Sequence, residues 1–158
     1  MSRHSRAATC RSIHDHDLVS KDFKIGDETL WNPSNGVADL FVRTADALAQ
    51  AEGVSTGIEP MLIRDEYWID ADEFTAFVDV LVRRYIGSRH PILRSLIEGF
   101  TATALVIVER AGRDIGALSN PSPPDWRDVS VGTTGLAAPG DAERLRELRQ
   151  ESARAMPY

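Results

Sequence analysis

Cys10 is the single cysteine of this 158-residue chain. One thiol excludes an internal disulfide and any cysteine-rich metal site, and nothing here asks for an oxidising compartment. Basic residues are also scarce: 18 Lys and Arg stand against 24 Asp and Glu, a formal net charge of -6. The chain therefore lacks the basic face with which a non-specific nucleic-acid binder displaces counterions, and no nucleic-acid partner is expected. Long apolar runs are missing too. The longest uncharged apolar stretch, "GFTATALVIV" at residues 99–108, is about half of what a bilayer span requires. Arg3, Arg6 and Arg11 have no apolar segment beside them, so the N-terminus does not read as a signal peptide. The expectation is a cytoplasmic protein with no membrane partner.

Completed chemical motifs are the last absence. No serine sits in a nucleophile elbow, Cys10 has no fixed base beside it, and no zinc deaminase signature appears. "GVSTG", residues 53–57, lacks the strand–loop–helix setting of a phosphate loop. Most large enzyme classes would show one such feature, and no cofactor is expected.

What is present is a foldable core. Hydrophobic residues make up 42% and charged residues 27% of the chain, a globular balance. Residues 1–21 are polar and aperiodic, a tail. "DFKI" and "ETLW" flank Gly26-Asp27, a pair suited to a type II′ hairpin turn. A first helix is expected from about Pro33 to Glu52, with Asn32 as cap and Pro33 at its first position. Val37, Leu40, Phe41, Thr44 and Leu48 then share one face, and Gly53 stops it. "MLIRDEYWI", residues 61–69, reads as one strand. A second helix starts at the Asp70 cap with Glu73 at N3 and Ile69 and Phe74 as a staple; Phe74, Phe77, Val78, Leu81 and Tyr85 form its buried stripe. A third runs from Pro91 to about Ala111, and its apolar residues cover more than one stripe, as in a central helix.

Residues 113–140 are rich in Pro, Gly, Ser and Thr, a linker that Trp126 could pin. The last helix, within 141–158, offers only Leu145, Leu148 and Met156 for burial. The expected fold is α+β and predominantly α. A three-helix core over residues 22–112 carries a small antiparallel sheet from 22–31 and 61–69, with the C-terminal helix appended.

Each candidate site has a plain structural alternative. Cys10, His14 and His16 could bind zinc or copper, yet no apolar residue fixes their geometry, so no metal is expected. On a single strand, Met61, Ile63, Asp65, Tyr67 and Ile69 would share a face, and Asp65 would be a carboxylate directed at the core. It is either a perturbed acid at a pocket or an acid paired with an arginine or helix end. His90, Arg94 and Glu98 lie at i, i+4 and i+8 on the third helix. They form either an acid–base and anion-binding row or a solvated polar stripe. Gly99 lowers helix propensity there, which suggests that something large, Trp31 or Trp68, packs against it.

Three blocks, "FKIGDETLWNPSNGVADLFVRTADAL", "DEYWID" and "HPILRSLIEGFTATALVIVERAG", resemble a family of short, uncharacterised actinobacterial proteins, a domain of unknown function. The resemblance covers about Phe23 to Gly112. It implies a folding unit and a bacterial cytoplasmic setting, and no catalytic chemistry. Two function classes stay open. One is a non-catalytic interaction protein, antitoxin-like, immunity-like or regulatory, acting on a protein partner or forming a homo-oligomer. The other is a small enzyme or small-molecule binder of secondary metabolism. Its aromatic pocket would hold Trp31, Tyr67 and Trp68, with Asp65, His90, Arg94 and Glu98 as polar groups.

Overall fold

A computed structural model describes residues 20–61, 65–120, 123–125, 141–156 and 158. Its strands are β1 (Asp22–Ile25), β2 (Glu28–Trp31), β3 (Ile58–Met61) and β4 (Glu66–Ile69); its helices are α1 (Asn35–Glu52), α2 (Ala71–Gly87), α3 (Pro91–Arg110) and α4 (Ala142–Ala155). The class is α+β and predominantly α. The four strands form one sheet of order β2-β1-β4-β3.

The sheet is two hairpins laid side by side. β1 and β2 pair antiparallel across the turn at Gly26, and β3 and β4 pair antiparallel as well. Helix α1 carries the chain from β2 to β3, so the inner strands β1 and β4 run parallel. The sheet is therefore mixed, where the sequence suggested a purely antiparallel one. Residues 61–69 are not a single strand: Met61 pairs with Glu66, closing a hairpin whose tip, residues 62–64, lies outside the described residues. Sequence periodicity missed this because the reversal falls within nine residues and no Gly marks it.

A register shift between Phe23 and Lys24 sets Phe23 opposite Trp31 and Lys24 opposite Thr29. Leu30 is the extra residue of this bulge, which breaks the alternation of faces. Both Leu30 and Trp31 are consequently buried.

Helix α1 begins later than expected. After Trp31 the chain stays extended: Lys21 N donates to Pro33 O at 3.0 Å, Ser20 bridges Ser34, and Asn32 Nδ2 donates to Asp22 Oδ1. Ser34 is the N-cap, with no side-chain cap bond. Asn32 and Pro33 are thus drawn into an extension of the β1–β2 ladder. The inward face of α1 keeps Phe41 and, half-buried, Leu48 of the expected stripe, but is otherwise shifted by one residue. Ala38, Phe41, Ala45 and Ala49 are buried, whereas Val37 is 49% and Leu40 68% exposed. Two stripes with the same i, i+3, i+7, i+11 spacing lie a hundred degrees apart on this helix. The helix buries the small one, where alanine permits close approach.

Helix α2 follows its sequence signals. Asp70 Oδ1 accepts from Asp72 N and Glu73 N, and the five predicted stripe residues are buried. Only the reciprocal half of the capping box is missing, since Glu73 accepts from Ser55 Oγ at 2.8 Å instead. Among the described residues, α3 alone is long and apolar enough to cross a bilayer. In the fold it is the central helix, buried on all sides from Ala104 to Val108. Leu96, in spite of its apolar side chain, is 71% exposed.

Helix α4 is a fourth wall of the core. Leu145 is fully buried and Met156 nearly so. Arg110 donates to Leu30 O at 2.7 Å and to Met156 O at 2.8 Å, and Arg149 pairs with Glu109 at 3.1 Å. Arginine stems cover apolar surface that a count of leucines does not register. The segment after α3 is held as well. A 3₁₀ turn, Gly116–Leu118, buries Ala117, whose N–H donates to Asp79 Oδ1 at 3.0 Å. Arg84 lies 3.2 Å from Glu52 and donates to Asp125, whose own N–H reaches Gly87 O. Trp126, Cys10, His14 and His16 lie outside the described residues.

Candidate functional site

The exposed stripe of α1 faces the exposed stripe of α3 across a shallow groove of about 530 Å³. Trp31, Phe41 and Phe100 lie at its base, and Val37, Leu40 and Leu96 stand at its sides. Ser152, Ala155 and Met156 from the end of α4 contribute as well. Among the described residues, none that lines it carries a charge, in a chain that is 27% charged. Ile92, 62% exposed, continues the apolar character one turn further along α3. A contiguous exposed apolar face of this kind marks an interaction surface on soluble proteins.

The base is rigid. Phe23 is sandwiched between Trp31 and Tyr67, with centroids 5.2 and 4.9 Å away, and Phe41 meets Phe23 and Trp31 edge-on and stacks on Phe100 at 4.8 Å. Such pairs contribute about 0.5–1.5 kcal/mol each beyond burial. Gly99 lies in the groove, and nothing outside its own stretch of helix falls within 4 Å of where its Cβ would be. The expected large partner is therefore absent among the described residues: Trp31 sits in the same groove but does not cover Gly99.

The seven residues singled out in sequence fall into separate places. Trp31 and Tyr67 meet through Phe23 in the aromatic core. Trp68, next along β4, is 42% exposed on the opposite face of the sheet, opposite Glu59 and Lys24. Asp65 is exposed in the turn before β4, and its carbonyl accepts from Asp22 N. It does not interrupt an apolar face, because the strand that would have aimed it inward ends at Met61. His90 is the N-cap of α3, its Nδ1 accepting from Leu93 N at 3.3 Å. Glu98 accepts from Tyr85 Oη at 2.6 Å and lies 4.0 Å from Arg144. Arg94 precedes it by one turn, with its Nε buried and without a hydrogen bond among the described residues. Burial, then the bond to Glu98, pushes the Tyr85 phenol well above the ordinary tyrosine range. No hydrogen bond, ion pair or ring contact among the described residues joins Asp65 to His90, Arg94 or Glu98.

Sequence reasoning also passed over Lys21 and Asp39. Lys21 Nζ donates to Asp39 Oδ1 at 2.7 Å and lies 3.5 Å from Tyr67 Oη, which donates to the same carboxylate at 3.3 Å. The bond to Asp39 raises the Lys21 pKa, and the bond to Lys21 lowers that of Asp39. This cluster ties the start of β1 to α1 and β4. Two other concavities are polar. One of about 290 Å³ is bordered by Trp68, Glu59 and Glu73, and an open one of about 540 Å³ by Asp72, Asp79 and Asp114. Among the described residues, no group of three or more His, Cys, Asp or Glu side chains is placed to hold a metal ion.

Fold and groove together describe a small α+β protein with an uncharged face between two helices. The chain belongs to a family of unknown function, DUF6086, whose model matches residues 19–158. That span takes in α4 and the segment before it, further than the 23–112 over which the sequence blocks resemble a family. No curated protein and no solved structure matches the chain.

Proposed function

We propose that this protein is a non-catalytic interaction protein whose working surface is the α1–α3 groove, occupied by an apolar helical face of a protein. The observation that carries this reading is the pairing of Leu40 and Leu96, 68% and 71% exposed, over an aromatic base in an uncharged surface. Helix-in-groove recognition lays the apolar face of one helix into a hydrophobic groove. An enzymatic reading would need convergent polar groups in a concavity. Here the polar side chains lining the groove, among the described residues, are the Trp31 indole and four hydroxyls, and those of Thr44 and Thr103 donate to their own helix at Leu40 O and Gly99 O. The setting we propose is the cytoplasm of an actinobacterium, as the three sequence blocks imply, in a regulatory, antitoxin-like or immunity-like role.

A photo-reactive phenylalanine analogue in place of Leu96 tests this in cells that make the protein. The expected outcome is a covalent adduct to one defined protein chain, absent when the same group replaces Trp68 on the far side of the sheet. Equal labelling from both positions, or none from position 96, would overturn the reading.

A further inference from the structure

We infer that the occupant of the groove is the same face of a second copy of this chain, related by a two-fold axis. The inference rests on the reading of the groove as a protein-binding surface and adds the identity of the partner.

Charge selects among partners first. A face built for a basic partner would present carboxylates, and one built for an acidic partner would present Arg or Lys. This face presents neither, although the chain carries a formal net charge of -6. An uncharged apolar face is where two acidic copies can meet without setting like charges against each other.

Shape is the second argument. In an isologous interface one patch must be complementary to itself, carrying both a ridge and the hole that receives it. Leu40 and Leu96 project as ridges. Gly99 is the hole: it has no side chain, and among the described residues nothing outside its own stretch of helix stands within 4 Å of its missing Cβ. The two rows also match. Val37, Leu40 and Thr44 follow i, i+3, i+7 on α1, and Leu96, Gly99 and Thr103 follow the same spacing on α3. The Leu40 ridge of one copy seats against Gly99 of its partner, and symmetry repeats the contact.

Area then sets the strength. From Ile92 to Thr103 the α3 row is about 16 Å long at 1.5 Å per residue, and a packed neighbouring helix lies about 8–10 Å away. With the helix diameter of about 10 Å added, the face is roughly 20 Å wide and about 300 Å² per copy, well below the roughly 800 Å² of a standard interface. The dimer is therefore a weak one, with dissociation on the order of micromolar or above.

Sedimentation equilibrium of the full chain, from about 1 μM to about 1 mM to bracket that range, is the test. The wild-type mass should rise from 17.4 kDa toward twice that value. Leu96→Glu and Gly99→Leu should stay monomeric, while Trp68→Glu follows wild type. Both groove substitutions fall where nothing is packed, so unchanged circular dichroism shows that the fold survives. A wild-type chain that remains monomeric throughout overturns the inference, as does a Leu96→Glu chain that assembles like wild type. The adduct from position 96 separates the two levels. An adduct to a different protein overturns the second copy and keeps the interaction function, whereas no adduct removes both.

Discussion

Replacing Gly57 by alanine introduces a methyl group where the chain has no room for one. The backbone there has φ +65°, and a Cβ would lie 2.7 Å from Phe74 N, 2.8 Å from Glu73 Cβ and 3.1 Å from Asp70 O. Two effects add. A left-handed alanine costs about 1–2 kcal/mol. Relieving the overlap means moving backbone at the start of α2, an overpacking effect of about 1–3 kcal/mol. Gly57 O also accepts from Asp70 N at 2.8 Å, and losing that bond adds roughly 0.5–1.5 kcal/mol. The total, about 2.5–6.5 kcal/mol, is a large share of the 5–15 kcal/mol typical of a domain. For a chain of this length it lowers Tm by roughly 5–26 °C, at about 2–4 °C per kcal/mol. Urea unfolding of Gly57→Ala beside Gly53→Ala isolates the packing effect, because Gly53 is also left-handed, at φ +71°, with nothing among the described residues packed within 4 Å of its Cβ position. Equal losses in the two variants would refute the claim that the β3 approach is seated on the α2 N-terminus.

Gly99→Ala should act in the opposite direction, raising monomer stability by about 0.5–1 kcal/mol through helix propensity, as thermal unfolding at low concentration would show; a destabilised variant would mean that the groove is filled from within. Arg84→Ala removes the link between Glu52 and Asp125. Breaking a buried pair costs about 3–5 kcal/mol, and the partial exposure of both acids puts this one near or below the lower figure, read from the urea midpoint. The Lys21–Asp39 pair has two pH limits. Asp39 is lowered from 3.8, so its contribution is present above that value and lost as pH falls through the folded pKa. Lys21 is raised from 10.5, so its contribution is present below that value and lost as pH rises through the folded one. The stability gap between wild type and Lys21→Met should therefore be flat through neutral pH and close at the acid end. Tyr85 is raised, so its contribution holds below 10.0 and fades above it; Tyr85→Phe should remove that part of the alkaline loss of stability, measured by urea unfolding across the alkaline range.

The parts legible in sequence were those written in local chemistry. Asp70 declared the start of α2, and Pro91 that of α3, because a cap or a first-turn proline acts within four residues. What depended on distant partners was not legible. Asn32 and Pro33 look like a helix start until β1 supplies a ladder for them to join. The Ala38 stripe and the Val37 stripe are equally periodic, and only the sheet and α3 decide which is inside. Asp65 looked buried because the reversal after Met61 carries no turn signature. The α4 helix looked weak because its burial depends on Leu145 and on the stems of arginines. The groove could have been suspected from "DLF" and "SLI", where adjacent large apolar residues cannot both face one core. Its emptiness at Gly99 could not.

The central claim is that the uncharged α1–α3 face, and no other, is where this protein meets its partner copy. Amide chemical shifts followed by NMR on dilution test it most directly, since 17.4 kDa is well within range. Concentration-dependent shifts are expected to concentrate at Leu40, Thr44, Leu96, Gly99 and Thr103, with Glu59 and Trp68 unmoved. Shifts centred on the outer sheet face, or spectra that do not change with concentration, would contradict it.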